Sequence, residues 1–189
     1  MQLILASASP RRKELLSLYG IPFIVRAADI DETMDPQKSA VQEVARVSCL
    51  KAHAIFREPE DVVIAADTIV VCDNQILGKP KDKEQAIAML HLLSGRDHQV
   101  MTGCTVLRGN ICESFTEITD LHFRPLTDQE ILKYVKSGEP MDKAGAYGIQ
   151  GGAALFCERL SGDYYNVVGL PVCRLWETLK NLVPEWMEA

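Results

Sequence analysis

Residues 62–72 read VVIAADTIVVC, a run that is rich in β-branched side chains and almost continuously apolar. The alternation of a half-solvated strand is missing, which marks a strand covered on both faces. One carboxylate, Asp67, interrupts the run. Placing it there costs free energy unless it is paired or bound to metal. It is either exposed at a strand kink, satisfied by a neighbouring arginine, or functional; buried acids of this kind gather at functional sites, which favours the last reading.

Upstream, residues 2–6 form a short apolar run ending at Ser7-Ala8-Ser9-Pro10, and helical periodicity follows through Leu15, Leu16 and Tyr19. Ser9 suits the N-cap and Pro10 the first helical position, so the segment reads as strand, turn and helix, closed by Gly20. Residues 23–28 read as a strand, followed by an acidic loop, and residues 39–55 as a helix. Downstream, Asp73-Asn74 and Gly78 predict a tight hairpin. A helix over 84–93 ends at Ser94-Gly95, and strands over 99–107 and 111–123 join at Gly109-Asn110. Thr127 to Glu130 is a capping box opening a helix to Val135. A glycine-rich loop at 138–152, a strand over 153–158 and a helix over 170–182 complete the chain. Strands and helices interleave without strict alternation, which predicts an α/β fold with a mixed β-sheet flanked by helices, in one domain over 1–189.

The chain has 189 residues, 47% hydrophobic and 24% charged, with a formal net charge of -6. Without a broad basic field it does not read as a nucleic-acid or anionic-membrane binder, although a local basic cluster can still hold a small anion. No apolar run approaches the roughly 20 residues that span a bilayer, and the start MQLILASASPRR lacks the basic region of a signal peptide. The expected location is the reducing cytoplasm. None of the six cysteines sits in a C-x-x-C pair or precedes a histidine at zinc-finger spacing. Cys72, Cys104, Cys157 and Cys173 lie in apolar runs and are expected to behave as small hydrophobes. Trp176 and Trp186 are expected to pack the closing helix.

Three further segments carry candidate chemistry. Ser7, Ser9, Arg11, Arg12 and the free N–H groups of the helix start would form an anion site, since a helix N-terminus is partially positive and arginine binds phosphate bidentately. The plainer alternative is a capped helix with solvated arginines; a P-loop pattern is absent. Lys79-Pro80-Lys81-Asp82 taken alone is a solvated turn. In DKAGAYGIQGG, residues 142–152, four glycines between Gly145 and Gly152 exceed what a connector needs. Glycine permits close backbone approach to a ligand; the alternative is a flexible loop.

Taken in order, the strings SASPRRKELL, AADTIVV, GKPKD, LSGRDHQVMTG and DKAGAYGIQG resemble the Maf family of nucleoside triphosphate pyrophosphatases, from Leu3 to about Leu179. The resemblance implies a Maf/ITPase-like α/β protein with an elongated mixed sheet, two lobes and a central cleft, often a homodimer. It also implies a divalent cation, Mg²⁺ or Mn²⁺, and cleavage of a nucleotide substrate between its α and β phosphates. Carried over by position, Ser7, Ser9, Arg11 and Arg12 match the phosphate-binding turn, Lys51 and Lys79 match cleft lysines, and Asp67 matches the catalytic carboxylate. Glu32 and Asp67 are the expected metal ligands, and Asp82 falls on the aspartate of the KPxD string. Residues 46–51, RVSCLK, depart slightly from the family pattern before Lys51.

The AYGIQG loop and Thr68 resemble the branch acting on dTTP and UTP, with Arg11, Thr68 and Gln150 at the positions expected to set that choice. The Gln150 amide offers a donor and an acceptor for the O4 and N3–H of uracil or thymine, a pattern that cytosine reverses. Guanine presents the same local pattern, so rejection of purines is implied by the resemblance alone. The competing class is a nucleotide-binding regulator of septum formation without turnover. Asp67 separates the two, because an unpaired carboxylate beside a triphosphate repels it unless a metal intervenes.

Overall fold

The computed structural model describes residues 1–35 and 37–186. Its elements run β1 (Leu3–Leu5), α1 (Pro10–Ser17), β2 (Phe23–Val25), α2 (Ala40–Ile55), β3 (Val62–Cys72), β4 (Gln75–Leu77), α3 (Lys83–Leu93), β5 (Asp97–Arg108), β6 (Ile111–Phe123), α4 (Asp128–Lys136), β7 (Cys157–Ser161), α5 (Tyr164–Val168) and α6 (Val172–Leu182), with short 3₁₀ turns between and after them. The seven strands form one sheet in the order β2-β1-β3-β5-β6-β7, with β4 paired to β3 off this path. β1 lies parallel to both β2 and β3, while β4 and β7 pair antiparallel with β3 and β6, so the sheet is mixed. In β3 only Thr68 and Val71 escape full burial, as an unbroken apolar run requires. Asp73 and Asn74 both adopt positive φ, the backbone that lets a two-residue turn follow the twist of the β3–β4 hairpin.

The chain divides into two compact units: Met1–Asp67, Thr102–Glu117 and Gly169–Ala189 make unit 1, and Thr68–Met101 with Ile118–Val168 make unit 2. In unit 1 an aliphatic core gathers Ile4, Ala6, Ala52, Val63, Ala65 and Leu107, with Ile55 and Phe56 packed against it. The α2 backbone presses against β5 at Gly103, where a Cβ would run into the carbonyl of Val44. In unit 2 the core is aromatic. Phe123 stacks edge-on against His98 and Tyr147, both at 4.8 Å between ring centroids, and Phe156 meets Tyr134 at 5.2 Å.

Three local expectations are corrected. Residues 153–158 are not one strand: a 3₁₀ turn spans Gly152–Leu155, and β7 begins only at Cys157. Ala153 and Phe156 are buried while Leu155 is 75% exposed, so the apolar residues follow the three-residue repeat of a 3₁₀ turn rather than the two-residue repeat of a strand. The last helix starts at Val172, after Pro171, and short α5 precedes it across Gly169, whose φ is 127°. Cys173 is exposed and Cys157 half-buried; only Cys72 and Cys104 behave as interior hydrophobes. Tyr19 and Trp176 stack at 4.9 Å, so Trp176 packs α6 against α1 as expected. Among the described residues no helix is long and apolar enough to cross a membrane.

Candidate active site

Two short elements position the N-terminal turn. β1 is held between parallel neighbours, and the chain leaves it into α1 with Ser9 at the N-cap and Pro10 at the first helical position. The Ser9 hydroxyl accepts from the backbone N–H of Arg12 at 3.5 Å, and the Ser9 N–H donates to the Ser7 hydroxyl at 3.2 Å. Pro10 has no N–H to offer. Of the backbone donors expected to be free in this turn, those of Ser9 and Arg12 are engaged within it. The lasting positive charge comes from the guanidinium groups. Arg12 is clamped, with Nε donating to the carbonyl of Gly169 at 2.8 Å and Nη1 to the Ser7 hydroxyl at 3.2 Å. Burial pulls the Arg12 guanidinium below its ordinary value, and the charge of Asp67 acts in the opposite sense. Cys104, Arg11 and Glu32 also act on it, so Arg11, Arg12, Glu32 and Asp67 share one electrostatic neighbourhood.

The centre of that neighbourhood is Lys51. This lysine is 7% exposed and lies on α2, where its ammonium donates to Asp67 Oδ1 at 2.7 Å and meets Glu32 Oε1 at 2.8 Å. Asp67 is 8% exposed at the middle of β3. It is therefore not the unpaired carboxylate that sequence reasoning supposed, and its partner is a lysine rather than an arginine. A buried pair of this kind is costly to assemble and still more costly to break on one side only, because a charge would be stranded. The slight departure at residues 46–51 leaves the reach of Lys51 intact.

Glu32 sits on a loop with no secondary structure of its own, so something else must hold it. Glu43, wholly buried on α2, accepts the backbone N–H of Asp35 at 2.7 Å and is gripped by Arg46 through Nε and Nη2. The same Arg46 Nη2 donates to the carbonyl of Thr33 at 2.8 Å. Arg46 and that backbone N–H hold the Glu43 carboxyl down at about 2. Thr33 in turn donates to Asp31 from both its N–H and its hydroxyl, which lowers the Asp31 carboxyl. Glu43 and Arg46 thus staple residues 31–35 to α2, about two turns and little more than one turn before Lys51. Sequence reasoning missed both residues, as it missed Gly169.

Two carboxylates brought to one ammonium form a hard-oxygen donor pair, and Mg²⁺ is commonly held by one or two carboxylates together with phosphate oxygens. Glu32 and Asp67 thus have the donor chemistry that a hard divalent cation takes.

In unit 2, Thr68 is half-buried, immediately after Asp67 along β3, and Lys79 and Gln150 are exposed. Asp82 is the N-cap of α3, accepting the Gln85 N–H at 2.7 Å, so its part is structural. The glycine-rich loop has local structure of its own. It folds into 3₁₀ turns tied to Glu139, which accepts the Tyr134 hydroxyl at 2.9 Å and the Gly152 N–H at 3.0 Å. Gly145 has φ 65°, with Val70 2.8 Å from where a Cβ would stand, and a Cβ at Gly151 would collide with the Glu139 carboxylate. Positive φ and close packing against Val70 therefore account for Gly145 by themselves.

With this geometry in view, residues 2–182 match the sequence pattern of the family described as Maf-like protein. A dTTP/UTP pyrophosphatase of Geobacillus sp. (strain WCH70) is 52% identical over 182 residues, covering 96% of this chain and 98% of that protein. One from Symbiobacterium thermophilum is 51% identical over 179 residues, covering 94% and 92%. Among solved structures, a HAM1 protein from Coxiella burnetii superposes with a TM-score of 0.53 at 15% identity, over 96% of this chain and 99% of that one, a likeness of fold.

Proposed function

Because this chain belongs to the Maf-like protein family, we propose that it hydrolyses dTTP and UTP to the nucleoside monophosphate and pyrophosphate, with its chemistry centred on Asp67, Lys51 and Glu32. The observation that carries the reading is the pair of carboxylates sharing one buried ammonium, Lys51 Nζ lying 2.7 Å from Asp67 and 2.8 Å from Glu32. A protein that only bound an anion would gain nothing from two acids in its binding neighbourhood. Relatives about half identical over nearly their whole length carry the dTTP/UTP pyrophosphatase name, which supports the substrate class.

Asp67 and Glu32 would hold a divalent cation, Mg²⁺ or Mn²⁺, whose chemistry is to neutralise phosphate oxygens and lower the pKa of a bound water. Lys51 fixes one oxygen of Asp67, and the carboxylate takes the proton of the attacking water. The water oxygen bonds to the α-phosphorus as the bond from that phosphorus to the bridging oxygen breaks. Pyrophosphate departs with the electron pair, and the proton passes from Asp67 to solvent. Arg11 and the clamped Arg12 meet phosphate charge; a guanidinium already held in place loses little further freedom on binding. Such chemistry asks a protein chiefly for positioning and electrostatics. In unit 2, phosphate contact by Lys79 and base selection by Thr68 and Gln150 rest on the family resemblance, together with Ser7 and Ser9 as phosphate-turn hydroxyls in unit 1. A cytoplasmic location and a homodimer belong to the same reading.

The test is release of pyrophosphate from the common nucleoside triphosphates, with and without Mg²⁺ or Mn²⁺. Turnover of dTTP and UTP, several-fold or more above CTP and the purine nucleotides and lost on chelation, is expected. Nucleotide binding without release under any condition would replace this reading with that of a regulator.

A further inference from the structure

A second constellation lies on α2, facing away from Lys51. Cys49 and His53 stand four residues apart, so they share one face of the helix, whereas Lys51 between them projects from the opposite side. Cys112, at the start of β6 and 63 residues from Cys49 in sequence, brings its sulfur to 3.8 Å from that of Cys49. The ligand atoms of Cys49, His53 and Cys112 all lie within 4.8 Å of one another. Neither sulfur is in a disulfide.

The spacing is informative. Two sulfurs each bound to one zinc ion at a tetrahedral angle lie about 3.8 Å apart, whereas a disulfide needs about 2.05 Å. The scaffold beneath is fixed. Ser48 and Thr105 hydroxyls meet at 2.7 Å, Thr105 donates to Ser114 at 3.0 Å, and Thr116 donates to the Val41 carbonyl at 3.1 Å. These bonds run α2 antiparallel to the first half of β6, which sets Cys112 against Cys49. His53 and Cys112 are exposed, leaving an entry path and a fourth position for water.

We propose that Cys49, His53 and Cys112 form a binding site for a thiophilic divalent cation of the Zn²⁺ class, distinct from the Asp67 centre. Two thiolates and an imidazole select such an ion over Mg²⁺ or Mn²⁺. Binding releases the two thiol protons to solvent and ties α2 to the β5–β6 hairpin. The site stands independently of the proposed catalytic activity.

The test is titration of the intact protein, kept reduced by a non-thiol reductant, with Co²⁺ and then Zn²⁺. The expected result is one equivalent of tetrahedral cobalt with a thiolate-to-cobalt charge-transfer band, bleached by Zn²⁺. That band should vanish in Cys112→Ser, and Zn²⁺ affinity measured against a chromophoric chelator should fall at least tenfold in His53→Ala. Asp67→Asn should leave both unchanged. Cys49→Ser is the second thiol variant, and melting curves of each variant check folding. Absence of the band in the reduced wild-type protein, its survival in folded thiol variants, or a disulfide forming in air where reduced protein takes up no Zn²⁺ would each overturn the proposal.

Discussion

The two compact units differ in whether they bury charge. Unit 1 buries charge: Lys51 with Asp67, and Glu43 gripped by a half-exposed Arg46, with Arg12 clamped nearby. Unit 2 buries neutral polar groups. His98 Nε2 meets the Tyr147 hydroxyl at 3.0 Å, and the Asn166 amide donates to the Val100 carbonyl and the Thr119 hydroxyl. Buried ions cost more than neutral groups of similar size and are often no better for stability than apolar residues. Where a fold retains them in one unit and uses neutral groups in the other, the charged unit is the place to look for chemistry. The neutral one is the place to look for pH- and packing-dependent stability.

The largest effect that would sharpen this contrast is loss of the central carboxylate. Asp67→Asn keeps shape and a polar partner for Lys51 while removing the proton acceptor; pyrophosphate release is expected to drop by roughly 10²–10⁴-fold, the usual contribution of such a group. The protein should still melt cooperatively. Full activity in this variant would break the assignment of chemistry to unit 1.

In unit 2, burial holds the 3%-exposed His98 down at about 4. The unfolded chain takes up this proton near pH 6.5 and the folded chain only near 4, so the unfolded state holds more protons between those values. Stability is therefore intact above pH 6.5 and falls as the pH drops, by about 3 kcal/mol by pH 4 from this group. Urea unfolding across that range measures the slope, and His98→Asn should flatten it. A third expectation concerns Gly145, held at φ 65° with Val70 against it. Gly145→Ala should cost about 2 kcal/mol through strain and overpacking, read as a lowered melting temperature.

The smallest effect tests positioning. Glu43→Gln loosens the grip of Arg46 on residues 31–35 without touching Asp67. A fall of about tenfold in kcat/KM is expected, equivalent to about 1.4 kcal/mol. A merely structural role would lower the melting temperature and leave the kinetic constants of the folded protein unchanged, which separates the alternatives.

What was legible in the sequence was local. Ser9 with Pro10, the capping box at Thr127 and the β-branched run around Asp67 announce their elements within a few residues, and each is found there. What was not legible depends on residues distant in the chain. Glu43 reads as an ordinary acidic helix position until residues 33 and 35 fold back over it. Cys49 and Cys112 carry no spacing signal because a helix face and a hairpin bring them together. Gly145 suggested ligand approach, but its positive φ and its neighbour Val70 explain it by packing. The run AALF at 153–156 misled because a 3₁₀ repeat and a short strand are hard to tell apart over four residues.

The reaction itself can be followed directly by hydrolysing UTP in ¹⁸O-labelled water and weighing the products. Attack directed by the Asp67 centre at the α-phosphorus places the label in the monophosphate and leaves pyrophosphate unlabelled. Label found in pyrophosphate, or release of inorganic phosphate from the γ position instead, would contradict it.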